Sequence, residues 1–232
     1  GLFARAFRLD RAVKETAPIS WRAGGVSRAE AHVVSEFEGA PAFGGTPSDR
    51  SIVQAITELK ARGYKVRLYP FVLMDIPPGN AKADPYGASE QAAYPWRGRI
   101  TVHPAAGMFS SPDKTAAASG QIAAFFGTAA PMHFSAGSEG PTYAGPAEWS
   151  YRRFILHYAT LAAMAGGVDA FIIGSELKGL TTARDGASSF PAVAALKTLA
   201  ADARVLMGPS AKITYAADWS EYGGYQPQDG SG

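Results

Sequence analysis

From Thr46 onward the apolar positions of this chain change period three times in the same way: a stripe at helical spacing gives way to a short continuous apolar run. Ile52, Ile56 and Leu59 mark one face of a first helix. It begins in Thr46-Pro47-Ser48-Asp49, where Thr46 reads as the N-cap and Pro47 as the first helical residue. Gly63 closes that helix, and a strand is predicted over 66–74. Pro70 lacks the N–H that a ladder needs, so it predicts a bulge or local break there. Tyr151, Ile155, Tyr158 and Ala162 repeat the helical stripe within 146–166, and 168–173 is the strand that follows. Val193, Leu196, Ala200 and Ala203 do so again within 190–207, followed by a strand over 211–217. A further strand is expected near 32–37, and residues 1–27 show no clear periodicity.

Helices alternating with strands imply a parallel sheet with right-handed crossovers. The links from helix to strand are short, at 63–65, 166–167 and 208–210, whereas a single strand-to-helix link occupies 75–145. That is far above the roughly 12–15 residues at which a loop is ordinarily functional or otherwise special. One face of the sheet is thus trimmed and the other elaborated, which marks the carboxyl ends of the strands as the working face. Three clear strands and one weaker one fall short of the eight of a closed barrel. An apolar final strand would be an unprotected edge. The expectation is therefore α/β of the (β/α)8 TIM-barrel type with only the amino-terminal part, about strands 2 to 5, in residues 1–232, and 75–145 as an insertion on the active face. A small open doubly wound sheet that binds a small molecule is the other arrangement, and it requires a complete chain.

Composition narrows the class without naming it. The chain has 232 residues, 47% hydrophobic and 18% charged, as a globular domain should. Its formal charge of +2 is too small to call for nucleic acid or an acidic membrane. No run approaches the roughly 18–20 apolar residues of a membrane helix; the best, 154–168, is broken by His157, Thr160 and two glycines. Cysteine is absent, so disulfides and thiol ligands do not arise. The four histidines show no metal-ligand spacing, and neither GxGxxG after a strand nor GxxxxGK[ST] occurs. Nothing implies a cofactor or a metal. Ser175 sits in GSE rather than GxSxG, which argues against a serine hydrolase. The segment GLFARAF lacks the form of a signal peptide.

Chemistry enters through acids at strand ends. Asp75 follows Met74, Glu176 follows the Gly174-Ser175 turn, Asp218 follows Ala217, and Glu36 is a fourth candidate. Glycoside hydrolysis needs two carboxyl groups across one glycosidic bond. The proton donor of the pair works best in an apolar or like-charged setting. Glu176, flanked by Ile172, Ile173 and Leu177, suits that part. The plainer reading makes Glu176 a surface residue and makes Asp75 and Asp218 caps of the turns that follow them. The insertion is rich in aromatic residues, which stack on the C–H faces of sugars or on one another. Trp96 is the best of them for substrate, and Trp219 and Tyr222 follow the last strand on the same face. Phe125 and Phe126 lie on a short apolar helix and suit a small core beneath the loop.

Six blocks in order carry a resemblance over roughly residues 20–232: GGTPSDRSIVQAI (44–56), VRLYPFVLMDI (66–76), YPWRGRIT (94–101), YRRFILHYA (151–159), VDAFIIGSELKGLTTAR (168–184) and ITYAADWSEY (213–222). They are similar to the glycoside-hydrolase-like TIM-barrel domain of gene transfer agent tail proteins, large tail-tip or host-specificity subunits of phage-like particles. That family resembles in turn the barrel clan of retaining glycosidases. There the general acid/base is a glutamate after the fourth strand and the nucleophile a glutamate ending the seventh. The resemblance implies that Glu176 takes the acid/base position, with the nucleophile beyond residue 232; Glu221 comes one or two strands too early. The clan pairs Asn with this glutamate, whereas this chain has Ser175.

Two functions follow as expectations. One is a glycoside hydrolase domain that cuts a cell-surface or cell-wall glycan, with Glu176 as acid/base and Asp75, Trp96, Asp218, Trp219 and Tyr222 binding substrate. The other is a receptor-binding or structural module of the tail tip that keeps the barrel shape without the catalysis. Both place the protein in the tail of a virion-like particle at the bacterial surface, made in the cytoplasm. Its partners would be a glycan and other tail-tip proteins, with no nucleic acid and no membrane insertion.

Overall fold

The computed structural model describes residues 8–9 and 20–225. In chain order the strands are β1 (Arg8–Leu9), β2 (Arg22–Ala23), β3 (Val26–Ser27), β4 (His32–Val33), β5 (Glu36–Phe37), β6 (Ala40–Pro41), β7 (Arg67–Leu68), β8 (Phe134–Ala136), β9 (Pro141–Tyr143), β10 (Ala170–Ser175) and β11 (Lys212–Ala216). The α-helices are α1 (Asp49–Ala61), α2 (Ala116–Phe126), α3 (Tyr151–Met164), α4 (Lys178–Thr181) and α5 (Pro191–Met207). A 3₁₀ turn at Arg97–Arg99 lies in the long insertion.

The frame is a parallel three-stranded sheet in the order β11-β10-β7. Ala170 and Phe171 of β10 stand opposite Arg67 and Leu68 on one side, and opposite Lys212 and Ile213 on the other. A separate parallel pair joins β1 to β4. The described residues thus form a mixed α/β structure with parallel pairing and no closed barrel. The expected strand over 32–37 divides in two: β4 pairs with β1, while β5 turns back on β6 as a hairpin. The strand expected over 66–74 keeps only two residues in the ladder. Pro70 accounts for this, because it can donate no hydrogen bond, and the chain beyond it joins no strand ladder.

The helix starts also differ from the sequence reading, for a physical reason. The N-cap of α1 is Ser48 rather than Thr46; its hydroxyl accepts from Ser51 N at 3.2 Å. In α3 the cap is Ser150, accepting from Arg153 N at 3.2 Å, so this helix starts at Tyr151 and not near Pro146. A serine whose oxygen reaches a free N–H of the first turn fixes the start more firmly than a proline that only tolerates it. In α5, Phe190 is the N-cap and Pro191 the first helical residue, within the expected 190–207.

The core lies between the sheet and α3 and α5. Phe171, Ile155, Leu156, Leu161 and Leu199 are fully buried there. The insertion belongs to this core rather than forming one of its own. Phe125 of α2 stacks on Tyr151 of α3 with centroids 5.1 Å apart, and Phe126 meets the same ring edge-on at 5.7 Å. Glu148 ties the end of α2 to the start of α3 by accepting from Thr128 N, Thr128 Oγ1, Ala129 N and Ser150 Oγ.

Candidate functional site

At the carboxyl end of β10 the register with β11 slips between Ile172 and Ser175. A slip of this kind re-aims the side chains beyond it. The chain then enters Glu176 at φ 50°, a left-handed conformation that a residue with a Cβ seldom adopts. Glu176 N is held by Ala216 O at 2.9 Å, so the backbone is pinned to the neighbouring strand while the side chain points into the insertion.

The insertion meets that carboxylate with two donors on a single oxygen. Trp96 Nε1 donates to Oε2 at 3.0 Å, and Arg97 Nη2 lies 2.7 Å from the same atom. Oε1 has no hydrogen bond among the described residues. The side chain of Glu176 is 32% exposed and that of Arg97 18%. The Arg97 guanidinium lies 5.1 Å from the Phe71 ring centroid, and Phe71 is 5.3 Å from Tyr69. Tyr69 donates to Ser175 Oγ, so the residue before Glu176 is held from β7's side.

Two glycines set this approach. A Cβ at Gly98 would lie 2.3 Å from the Trp96 ring, and one at Gly179 would lie 2.5 Å from Ile100 O. The Trp96–Ile100 turn therefore sits directly on α4 at Gly179, while Gly98 leaves room for the Trp96 ring within the turn. Gly98 and Gly179 were not singled out in the sequence, nor were Arg97 and Tyr69. Arg97 had one usable signal, its place beside Trp96 in YPWRGRIT.

The turn after β11 packs against α4 through a second network. Tyr215 accepts from Leu177 N at 2.6 Å and donates to Glu221 at 3.2 Å. Glu221 also accepts from Thr181 Oγ1 at 2.6 Å and from Asp218 N at 2.8 Å. Lys178 Nζ donates to Ser220 Oγ at 2.7 Å. Burial drives the Tyr215 phenol up, and the Glu221 carboxylate beside it works the same way against the bond from Leu177 N. Asp218 accepts from Ser220 N at 3.0 Å and from Ser220 Oγ, and these bonds hold its carboxyl below the ordinary range. Asp218 thus caps the turn that follows it. On the same turn Trp219 is 86% and Tyr222 91% exposed.

Asp75 stands apart from Glu176. It accepts from Ser35 N at 3.2 Å and Ser35 Oγ at 2.5 Å, with Tyr94 Oη 3.1 Å from that hydroxyl. It lines a cavity of about 530 Å³ between β7 and the helices. Glu36, the fourth strand-end acid considered, is exposed. The structure therefore brings together Glu176 and Trp96, places Asp218, Trp219 and Tyr222 on an adjoining turn, and sets Asp75 on another wall. His157 is buried, 2.8 Å from Asp49 Oδ1, and fastens α3 to α1. Among the described residues no three of His, Asp and Glu converge as a metal site, and no helix is long and apolar enough to cross a membrane.

No curated protein matches the chain. A family model does match in part: that of the GTA TIM-barrel-like domain, over residues 149–232, from the start of α3 through β10, Glu176, α5 and β11. Residues 149–232 are thus similar to a gene transfer agent TIM-barrel-like domain.

Proposed function

We propose that this chain is a component of a gene transfer agent particle whose strand-end face recognises a cell-surface glycan without cleaving it. One observation carries the reading. Both groups that reach the Glu176 carboxylate use the same oxygen as an acceptor, at 3.0 and 2.7 Å. A general acid must hold a proton where the leaving group can take it. Here the oxygen that meets the insertion is held as an acceptor by an indole N–H and a guanidinium. Trp96, 43% exposed beside it, and the exposed Trp219 and Tyr222 offer ring faces of the kind that stack on sugars. In this reading the domain sits in the particle's tail, at a partial (β/α)8 barrel, and contacts other tail-tip proteins. Residues 75–145 are its insertion on the recognition face.

The test uses the 232-residue chain and polysaccharides extracted from bacterial surfaces. Saturable binding is expected, weakened at least tenfold by Trp96→Ala, with no release of reducing ends. Release of reducing ends that Glu176→Gln abolishes would overturn it.

That outcome would favour a second reading, a retaining glycoside hydrolase with Glu176 as acid/base. Two features support it: Oε1 remains open, and the left-handed backbone at Glu176 is the kind of strain that collects at catalytic positions.

A further inference from the structure

The cavity of about 530 Å³ does not include Glu176, Trp96 or Arg97 in its walls. It lies between the chain that follows β7 and the helices α1 and α3. Leu68, Val72 and Met74 form one wall, and Ile52, Phe154 and Tyr158 the other. Pro70 explains why it exists. With β7 reduced to two ladder residues, the segment beyond is not drawn against the helices by a strand partner. Protein interiors hold few voids larger than a water molecule, and the cost of an unfilled apolar space grows with its volume. A space of this size is within the roughly 300–1,000 Å³ of small-molecule pockets.

The polar groups at its mouth define what would enter. Asp75 is already bonded twice to Ser35. Gln91 donates its amide to Ala83 O at 3.0 Å. Lys82 also lines the mouth, and its Nζ makes no hydrogen bond or ion pair among the described residues. The pairing of an apolar interior with an uncommitted ammonium at the rim suits an aliphatic body that ends in an anion. We propose that this cavity binds an acyl carboxylate, the chain lying along Val72 and Phe154 and the carboxylate meeting Lys82. The proposal is independent of the glycan reading, since Glu176, Trp96, Arg97, Trp219 and Tyr222 do not line this cavity.

The experiment titrates the 232-residue chain with decanoate, decan-1-ol and decyltrimethylammonium by calorimetry. One decanoate per chain is expected, at least tenfold tighter than the cationic amphiphile. Lys82→Glu, at an exposed position, should reverse that order without changing the fold by circular dichroism. Val72→Trp, which fills the space, should abolish binding of all three while the melting temperature holds or rises. Absence of saturable decanoate binding, or binding with the same head-group preference in wild type and Lys82→Glu, would overturn the proposal. The Lys82 comparison decides the matter should Val72→Trp fail to fold.

Discussion

Arg97 contributes to stability and to the shape of the site at once. Its guanidinium is mostly buried and lies against Phe71 as well as Glu176. Arg97→Leu keeps the stem but leaves the half-covered carboxylate of Glu176 with only the Trp96 bond. The expected loss is about 1–3 kcal/mol, read as a lower urea midpoint; no shift of the midpoint would show that the pair behaves like an exposed surface pair. Glu148 offers a pH-dependent counterpart. Partial burial pushes its carboxyl up, but the bonds from Ser150, Thr128 and Ala129 outweigh that and hold it below its ordinary 4.5. A carboxyl lowered on folding adds stability in full above its ordinary range and loses it as pH falls through the lowered value. Glu148→Gln should therefore melt below wild type at pH 7, and the two curves should converge as pH falls below the ordinary 4.5 and through the lowered value. A constant gap across that range would locate the effect elsewhere. Glu176 was visible in the sequence because an apolar run ended in an acid. Arg97 was not, because nothing in a local pattern says which basic residue 79 positions earlier will meet it.

At the scale of elements, helix starts decide how α2 and α3 meet. Ser150 caps α3 and also donates to Glu148, which holds the turn after α2. Ser150→Ala removes the cap and is expected to cost about 1–2 kcal/mol, measured by chemical denaturation; a loss well below that would mean that water replaces the hydroxyl. Gly127 is bound into the same junction. It sits at φ 73°, and a Cβ there would lie 2.2 Å from Ser150 Cβ. Gly127→Ala should destabilise more than Ser150→Ala, since the conformation and the contact both oppose it. The helical stripes of α1, α3 and α5 were legible because a 3.6-residue period survives any tertiary context. The strand over 66–74 was legible only as far as Pro70, and the split of 32–37 into β4 and β5 was not legible. Strand length depends on which backbone lies alongside, and two residues of β4 find β1 while two of β5 find β6.

At the scale of the whole molecule, the sheet leaves β11 paired on one side only among the described residues. Its Ile213 and Tyr215 are half-buried, and Thr214 is exposed. An apolar strand edge of this kind is a template for association between chains. Thr214→Lys is expected to slow aggregation of the 232-residue chain by several-fold in light scattering, with little change in melting temperature. An unchanged aggregation rate would show that another surface drives it. The amino-acid order alone determined the alternation of helix and strand, the elaborated strand-end face and the acid at its centre, because these follow from periodicity, chain direction and residue chemistry. Tertiary structure decided that Trp96 and Arg97 share one oxygen of Glu176, that Asp75 faces a different space, and that a cavity opens behind Pro70. These depend on which distant segments come to rest against one another, and in particular on Gly179, which lets the insertion lie directly on α4.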